Sequence, residues 1–225
     1  MDTLPFEQEP KVLDWLESIR TAGCTIHTVK PVHLFHKRNG ELLFGLIQAD
    51  ITDPQGKKLH DILFLRGHAC IIIPRVVNCE TGESAFLMIN QRRIGNGRLN
   101  LEFPAGMLDR NTDNPLQVAC NELREETGLV VCPNDLIPLS NTLLYSSPGA
   151  SDEGIYYYGC SVSVSDKDYI AFNGRTIDNT YENEHIQVTL RSFEQAAAET
   201  ISLQARLGLY LFLSHFPEKP SVPET

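Results

Sequence analysis

The spacing of apolar residues predicts one helix near the start of the chain and strands after it. Residues 11–20 place Val12, Trp15, Leu16 and Ile19 on one face of a helix. Short runs typical of strands follow at residues 25–29, 42–47, 62–65, 70–77 and 85–90. Turn residues at Asn39–Gly40 and 54–56 separate the first three runs. The first third of the chain is therefore predicted to be rich in strands.

The second half of the chain predicts a clear helix that begins at Pro115. Asn114 is a suitable N-cap, and Gly128 follows the last turn, where a left-handed residue is favoured. Further strands are expected at 138–145, 154–164 and 186–190, and further helices near 193–200 and at 203–215. Ser192 and Gln195 form a capping-box pattern for the first of these helices. This mixture predicts an α+β fold with a mixed sheet.

Composition and charge exclude several classes of protein. The 225 residues suit one domain, or one large domain with an N-terminal extension. The net charge of −10 argues against nucleic-acid binding, which requires a basic surface. We expect no membrane span, because no apolar run is long enough, and no signal peptide, because the first residues lack a basic start and an apolar core. Six cysteines without a CxxC pair suggest reduced thiols and a cytoplasmic location.

The helix after Pro115 carries the residues with the most distinctive chemistry. Glu122 and Glu126 are four residues apart and therefore lie on one face, which is expected to be polar, and Glu125 lies on its flank. Arg124 is expected to project elsewhere. Three converging carboxylates require a counter-ion, and oxygen ligands favour Mg²⁺ or Mn²⁺ over zinc. The spacing alone is equally typical of a solvated acidic helix face.

The segment from Gly106 to Leu129 resembles the Nudix box, GX5EX7REUXEEXGU, where U is aliphatic. The matching residues are Gly106, Glu122, Leu123, Glu125, Glu126, Gly128 and Leu129. The segment has one extra residue before the helix, its first glutamate aligns with Asp113, and its arginine is Asn121. In the family, the first glutamate and the arginine of the box help to fix the loop to the helix. Here an Asp113–Asn121 hydrogen bond is expected to replace their ion pair. Other motifs resemble the ADP-sugar/ADP-ribose pyrophosphatase branch of the Nudix hydrolases, with most similarity to plant-type ADP-sugar diphosphatases: residues 32–38, 65–69, 90–93, 102–106, 147–149 and 182–186.

The resemblance implies a fold, a domain organisation and an activity. The fold would be a Nudix-type α/β/α sandwich with a mixed sheet. Residues 1–60 would form a helix and a strand-rich extension that swaps across a homodimer, 61–216 the hydrolase domain and 217–225 a flexible tail. The activity would be Mg²⁺-dependent hydrolysis of an ADP-sugar, ADP-glucose or ADP-ribose, to AMP and a sugar phosphate, with Mn²⁺ able to replace Mg²⁺.

The resemblance also assigns roles to individual residues. The expected metal ligands are the carbonyl of Ala105 and the carboxylates of Glu122, Glu126 and Glu184. Glu182 is the expected base, with an exchange of roles between Glu182 and Glu184 left open and Glu125 as a further catalytic candidate. The expected substrate contacts are Arg93 to phosphate, Glu102 beside that arginine or behind the metals, Glu153 to the distal sugar and Arg66 to the adenosine.

Two alternatives to this function remain open at the level of sequence. A hydrolase of the same family could prefer UDP-glucose or another nucleoside diphosphate compound. The altered Asp113 and Asn121 are also compatible with a non-catalytic Nudix-fold binding module. The intact glutamates argue against this module, because a protein that only binds has no evident need for them.

Overall fold

The computed structural model describes residues 4–109, 113–179 and 184–216, without the side chains of Asn179 and Glu184. It contains two compact units. Unit 1 comprises Met1–Ala69, Met107–Asn114 and Leu143–Ile155, and unit 2 comprises Cys70–Gly106, Pro115–Thr142 and Tyr156–Thr225. Each unit is described separately below. The domain boundaries expected from the sequence stay a prediction.

Five α-helices and twelve strands make up the regular structure of the described residues. The helices are α1 (Pro10–Thr21), α2 (Pro115–Thr127), α3 (Asp166–Phe172), α4 (Phe193–Glu199) and α5 (Leu203–His215). The strands are β1 (Thr25–His36), β2 (Leu42–Thr52), β3 (Ile62–Leu65), β4 (Ala69–Asn78), β5 (Ser84–Arg92), β6 (Leu99–Glu102), β7 (Ala105–Met107), β8 (Ile137–Pro138), β9 (Leu144–Tyr145), β10 (Gly154–Val164), β11 (Thr176–Asn179) and β12 (Glu184–Arg191). No described helix is long and apolar enough to cross a membrane.

Unit 1 is built on a three-stranded antiparallel sheet in the order β1-β2-β3. The predicted turns lie where expected, and Gly40 and Gly56 adopt positive φ angles of 91° and 80°. β1 extends well beyond the predicted run at 25–29 and includes Pro31. A proline lacks the N–H that a central strand needs, but an edge strand tolerates it. The position of β1 at the sheet edge therefore accounts for this proline.

One apolar cluster holds α1 against this sheet. Val12 and Trp15 of α1 are buried, as the helical periodicity predicted. They pack with buried side chains of the sheet, which are Leu42, Ile47, Ala49, Ile51 and Leu65. Unit 1 thus has its own hydrophobic core, formed by a helix and a sheet that are adjacent in sequence.

Unit 2 is built on a larger sheet, in which the strands follow the order β11-β12-β5-β4-β10-β8. β6 pairs with β5 and β7 pairs with β4. Its largest fully buried side chains include Ile72, Ile73, Leu87, Met88, Leu123 and Phe212. The fold is mixed α+β, as predicted.

Helix α2 ends at Gly128 for two physical reasons. Gly128 has a φ angle of +79°, which side-chain-bearing residues rarely adopt, and its N–H donates to the carbonyl of Arg124 at 2.8 Å. A Cβ at this position would also lie 2.2 Å from Nη1 of Arg175. Arg175 in turn donates to the carbonyl of Thr127, at the negative end of the helix. The predicted helix end is confirmed.

The remaining predictions of secondary structure are confirmed with three exceptions. The single strand expected at 138–145 is wrong, because only the dipeptides β8 and β9 lie in that region. Helix α3 was not predicted, although Ser165 accepts a hydrogen bond from the N–H of Asp168. The short strands β6, β7 and β11 were also not predicted.

Candidate active site

Glu126 is a buried carboxylate that contacts the backbone of β7. It is 5% exposed, and its Oε2 accepts a hydrogen bond from the N–H of Ala105 at 2.9 Å. Such a bond stabilises the charged form of the carboxylate. The chain at Ala105 thus covers part of the helix face that was expected to be polar. The interpretation of the helix as an ordinary solvated acidic surface therefore fails for Glu126.

Glu122 lies one helical turn before Glu126 and meets the next residue of β7. A Cβ at Gly106 would lie 2.2 Å from the Cγ, Cδ and Oε1 atoms of Glu122. Only glycine therefore leaves room for this carboxylate in its present position. Successive turns of α2 thus place two carboxylates against the Ala105–Gly106 backbone, and we call these four residues the β7–α2 corner.

Cys70 lies beside this corner and was not expected there. Its thiol is fully buried and donates to the carbonyl oxygen of Gly106 over 3.6 Å. Burial, and then the nearby charges of Glu122 and Glu126, raises the pKa of Cys70 to about 12. The thiol is consequently protonated at neutral pH. No local sequence pattern indicates this contact, because Cys70 resembles any other core residue of an apolar strand.

Glu125 does not join the other two carboxylates of the helix. Its side chain is 57% exposed and lies 3.2 Å from Nη2 of Arg124. The expectation that Arg124 projects elsewhere, and that three carboxylates of this helix converge, is therefore wrong. No group of three or more His, Cys, Asp or Glu side chains is arranged to hold a metal ion within the described parts of the chain.

Glu182 falls between β11 and β12 in the sequence, and Glu184 is the first residue of β12. Glu182 falls outside the described residues. The backbone of Glu184 begins β12, where it pairs with Asn179, and its side chain is not described. Their assignments as base and metal ligand thus stay predictions.

Arg93 follows β5 and is held by a carboxylate of β6. Its Nε and Nη2 both donate to Oε2 of Glu102, at 3.1 and 2.9 Å. The neighbouring Arg92 is exposed and donates to the carbonyl of Gly97. Glu102 therefore fixes the guanidinium of Arg93, whose planar group is suited to bidentate phosphate binding.

Unit 1 contains a second charged group of residues. Nε of Arg66 lies 2.9 Å from Oε1 of Glu153, although its N–H is poorly aligned with that oxygen. The hydroxyl of Ser146 donates to the other carboxylate oxygen of Glu153. Oδ1 of Asp152 accepts the N–H of Arg66 at 2.7 Å, and Oδ2 accepts the N–H of Gly67 at 3.0 Å. The two residues predicted to contact the substrate in this region are thus paired with each other.

Two further members of this region were missed in the sequence. Burial raises the pKa of Asp152 above the ordinary value of an aspartate. Lys11 is 4% exposed, and its ammonium donates to the carbonyls of Leu43 and Arg66 at 2.9 Å each. Burial lowers the pKa of Lys11. Neither residue belongs to a recognisable motif, so only the folded structure reveals them.

The sequence of the chain is similar to those of two known proteins. No family model matches the chain. The chain is 27% identical over 192 residues to Nudix hydrolase 14, chloroplastic, of Arabidopsis thaliana, and this alignment covers 82% of the chain and 60% of that protein. It is 35% identical over 72 residues to putative nudix hydrolase 2 of Caenorhabditis elegans, which covers 32% of the chain and 30% of that protein. The predicted resemblance to the Nudix hydrolases is confirmed.

A solved structure has a similar fold. A solved structure described as "Crystal structure of ADP compounds hydrolase" is similar with a TM-score of 0.59 at 18% identity, over 87% of this chain and 97% of that chain. The chain spans 60% of the length of the Arabidopsis relative. Three residues of the β7–α2 corner, Gly106, Glu122 and Glu126, lie in the segment that resembles the Nudix box. Of the two substituted positions of the box, Asn121 is exposed and accepts a hydrogen bond from Gln117, while its expected bond to Asp113 stays a prediction.

Proposed function

We propose that the protein hydrolyses the diphosphate bond of a nucleoside diphosphate sugar. The preferred substrate class is an ADP-sugar, ADP-glucose or ADP-ribose, and the products are AMP and a sugar phosphate. One observation carries the proposal: Glu122 and Glu126 are fixed against the backbone of Ala105 and Gly106. The names of the two Nudix hydrolase relatives and of the ADP compounds hydrolase with a similar fold support the same chemistry.

The corner offers a donor set that suits Mg²⁺. Its side-chain donors are carboxylate oxygens, and Mg²⁺ prefers oxygen ligands. The nearby thiol of Cys70 is directed at the carbonyl oxygen of Gly106. The proposed ligands are the carbonyl of Ala105 and the carboxylates of Glu122, Glu126 and Glu184. A bound Mg²⁺ would neutralise the diphosphate and lower the pKa of a water molecule.

Proton removal from the attacking water is assigned to Glu182. A carboxylate on the loop between β11 and β12 can act as a general base if it reaches that water. Glu184 is then a ligand rather than the base, and the reverse assignment is an outcome of the mutagenesis described below. Glu125 is the alternative base, because its exposed carboxylate lies on the same helix as the proposed ligands.

Substrate recognition is assigned to two pairs of residues. Arg93, oriented by Glu102, donates to a phosphate oxygen. Arg66 contacts the adenosine and Glu153 the distal sugar, and their ion pair holds both side chains ready in unit 1. Carboxylates are suitable acceptors for sugar hydroxyl groups. These four residues therefore determine which nucleotide sugar is accepted.

We further propose that the protein is a homodimer. β1 is a twelve-residue edge strand, and its outer edge has no strand partner among the described residues. Val32 and Phe35 of this strand are 55% and 49% exposed. A free edge with apolar side chains favours pairing with another chain. Light scattering should give about twice the 25.2 kDa mass of one chain, whereas the mass of one chain would contradict the proposal.

A substrate panel tests the proposed activity. ADP-ribose, ADP-glucose, UDP-glucose, NADH and diadenosine polyphosphates should be offered with Mg²⁺, and the products identified by chromatography. We expect AMP and a sugar phosphate from an ADP-sugar at the highest kcat/KM. Preferred cleavage of UDP-glucose would replace the proposed specificity. Binding without cleavage of any compound would identify a binding module and overturn the proposal.

A further inference from the structure

Unit 1 contains a cleft of about 650 Å³ that the proposed hydrolysis does not use. Its walls come from α1, from the β2–β3 sheet and from residues 145–152. The lining is largely apolar and includes Trp15, Ile19, Ala49, Ile51, Leu63 and Tyr145. Small-molecule sites have volumes of roughly 300–1,000 Å³ and predominantly apolar linings with a few fixed polar groups. The cleft has the size and the surface of such a site.

Hydrogen bonds hold the loop that forms one wall of the cleft. The carbonyl of Ser147 accepts the N–H groups of Ala150 and Ser151, at 3.0 and 2.9 Å. The carbonyl of Ala150 accepts the N–H of Phe64 in β3 at 2.8 Å. Asp152 fixes the end of this loop through the backbone of Arg66 and Gly67. The wall is thus formed before any ligand binds, which reduces the entropic cost of binding.

His68 presents a neutral ring to the cleft. The N–H of Gly154 donates to its Nδ1 at 3.2 Å, so this nitrogen carries a lone pair rather than a proton. Burial lowers the pKa of His68, which also favours the neutral form. The ring of Tyr145 meets it edge-on, with the ring centres 6.3 Å apart. Two aromatic rings without charge therefore form part of the surface.

The charged residues around the cleft are acidic. Asp14, Glu17, Asp61 and Asp152 line it, Nδ1 of the lining residue His60 lies 3.8 Å from Oδ1 of Asp61, and the described lining residues include no lysine or arginine. A phosphate or a carboxylate would therefore be repelled and would find no cationic side chain to pair with. A cation would be attracted, and a neutral ring would gain from the apolar walls. The charge pattern thus distinguishes this cleft from a site for a nucleotide phosphate.

We propose that this cleft binds a small planar ring compound that is cationic or neutral, and that it excludes compounds bearing a phosphate or a carboxylate. The proposal concerns binding in unit 1 alone. It does not depend on the proposed hydrolysis, so the two proposals can fail separately.

Trp15 makes the test specific, because it is the one tryptophan in the chain and it lines the cleft. Its fluorescence should be titrated at pH 7.5 with benzamidinium, benzamide and benzoate, which share a shape and differ in charge. We expect the Kd of benzamidinium to be at least about 10-fold lower than that of benzoate, with benzamide between them. No response to any of the three, or benzoate binding as tightly as benzamidinium, would overturn the proposal. If a second copy of the chain covers the cleft, none of the three compounds will change the fluorescence.

A pair of glycine variants locates the probe. Gly149 lines the cleft, whereas Gly95 lies in unit 2. At both glycines a Cβ would have no heavy atom within 4 Å, and neither has a positive φ, so the folded chain accommodates a side chain. Gly149→Leu should raise the Kd of benzamidinium at least about 10-fold by occupying the cleft, and Gly95→Leu should leave it unchanged. Equal affinities for the two variants would place the probe elsewhere and overturn the proposal.

A charge variant tests the basis of the selectivity. Asp61 is half-exposed at the rim, so Asp61→Asn should preserve the fold. We expect the ratio of the Kd values for benzoate and benzamidinium to fall roughly threefold, since one partly solvated charge is removed. Benzamide binding should be unchanged. An unchanged ratio would show that the acidic rim does not select the ligand.

Discussion

The β7–α2 corner in unit 2 and the group formed by Arg66, Asp152 and Glu153 in unit 1 are built in different ways. In the corner, the hydrogen bond between Ala105 and Glu126 joins residues 21 positions apart. In unit 1, the hydrogen bond between Arg66 and Asp152 joins residues 86 positions apart. The corner depends on a turn and one helix, so its spacing is visible in the sequence. The second group requires the chain to return from a distant strand, so only folding creates it.

The two regions also use carboxylates for different purposes. The corner places Glu122 and Glu126 against a backbone that bends tightly at a glycine, an arrangement that favours a cation. The group in unit 1 already contains its own cation, Arg66, paired with Glu153. A carboxylate with a permanent partner is suited to orienting a substrate rather than to holding a metal. Mutations of the corner should therefore lower the turnover rate, whereas mutations of the group in unit 1 should change the substrate specificity.

The largest loss of activity is expected at Glu182, which completes the chemistry of the corner. Glu182→Gln should lower kcat by roughly 10²- to 10⁴-fold with little effect on substrate binding, because a general base acts in the transition state. Glu184→Gln should instead raise the Mg²⁺ concentration required for half of the maximal activity. Steady-state kinetics across a Mg²⁺ titration separates the two variants. If added Mg²⁺ restores Glu182→Gln but not Glu184→Gln, the roles must be exchanged, and if neither variant is impaired, Glu125 becomes the base.

A smaller loss of activity is expected at Gly106, where one methyl group tests the geometry of the corner. A Cβ there would displace the flexible carboxylate of Glu122 rather than the backbone, so Gly106→Ala should fold. We expect kcat/KM to fall by about 10- to 100-fold, corresponding to roughly 1.4–2.8 kcal/mol of transition-state stabilisation. Gly95→Ala is the matched control, because its Cβ would meet no neighbour. Full activity of Gly106→Ala would show that the position of Glu122 is not essential.

We expect the stability of the folded protein to depend on pH through Asp152 of the group in unit 1. Burial raises the pKa of Asp152 in the folded state, so the folded chain binds this proton more tightly than the unfolded chain does. Protonated Asp152 therefore stabilises the fold at a pH below the pKa of the unfolded aspartate. This stabilisation is lost as pH rises through the pKa of the folded state. Asp152→Asn does not titrate. The stability advantage of the wild-type protein over this variant should therefore shrink as pH rises above about 4, since an unfolded aspartate titrates near 3.9. Urea unfolding at several pH values measures this difference, and an advantage that grows with pH would contradict the account.

The smallest effect is expected at Asn121, on the exposed side of the corner's helix. Asn121→Arg restores the arginine of the Nudix box, and we expect stability to hold or to rise by a few tenths of a kcal/mol if Asp113 is close enough to pair. Hydrolysis should be unaffected, because Asn121 touches neither the proposed ligands nor the backbone of Ala105 in the contacts described. Thermal unfolding and kcat/KM check both statements. A collapse of folding that Asp113→Glu fails to rescue would show that the two segments of the box are aligned incorrectly.

The predictable features of the fold are those set by neighbouring residues. Helix α2 could be placed from Pro115 to just before Gly128 because its cap, its apolar spacing and its left-handed end all lie within the segment. Helix α3 was overlooked, although Ser165 caps it by accepting the N–H of Asp168, as Ser192 caps α4 by accepting the N–H of Gln195. The start of α3 could therefore have been predicted from the sequence.

Other features depend on contacts that no local pattern specifies. β6 and β7 are strands because β5 and β4 lie beside them. The burial of Glu126 follows from the path of the chain at Ala105, which a helical projection of α2 alone does not show. The position of Cys70 under Gly106 and the contacts of Lys11 arise in the same way. The sequence thus identified the acidic residues of the corner but not the surroundings that determine their chemistry.

The central claim is that the corner holds the cation required for hydrolysis, and Glu126→Gln tests it most directly. The amide retains an oxygen that can accept the N–H of Ala105, so the change removes the charge and little else. With Glu194→Gln, an exposed helix carboxylate, as the control, Mn²⁺ binding and kcat should be measured over a titration of the metal. We predict that Glu126→Gln binds Mn²⁺ more weakly and loses at least about 10²-fold in kcat, while the control behaves as wild type. Unchanged Mn²⁺ binding together with unchanged turnover at saturating metal would contradict the account.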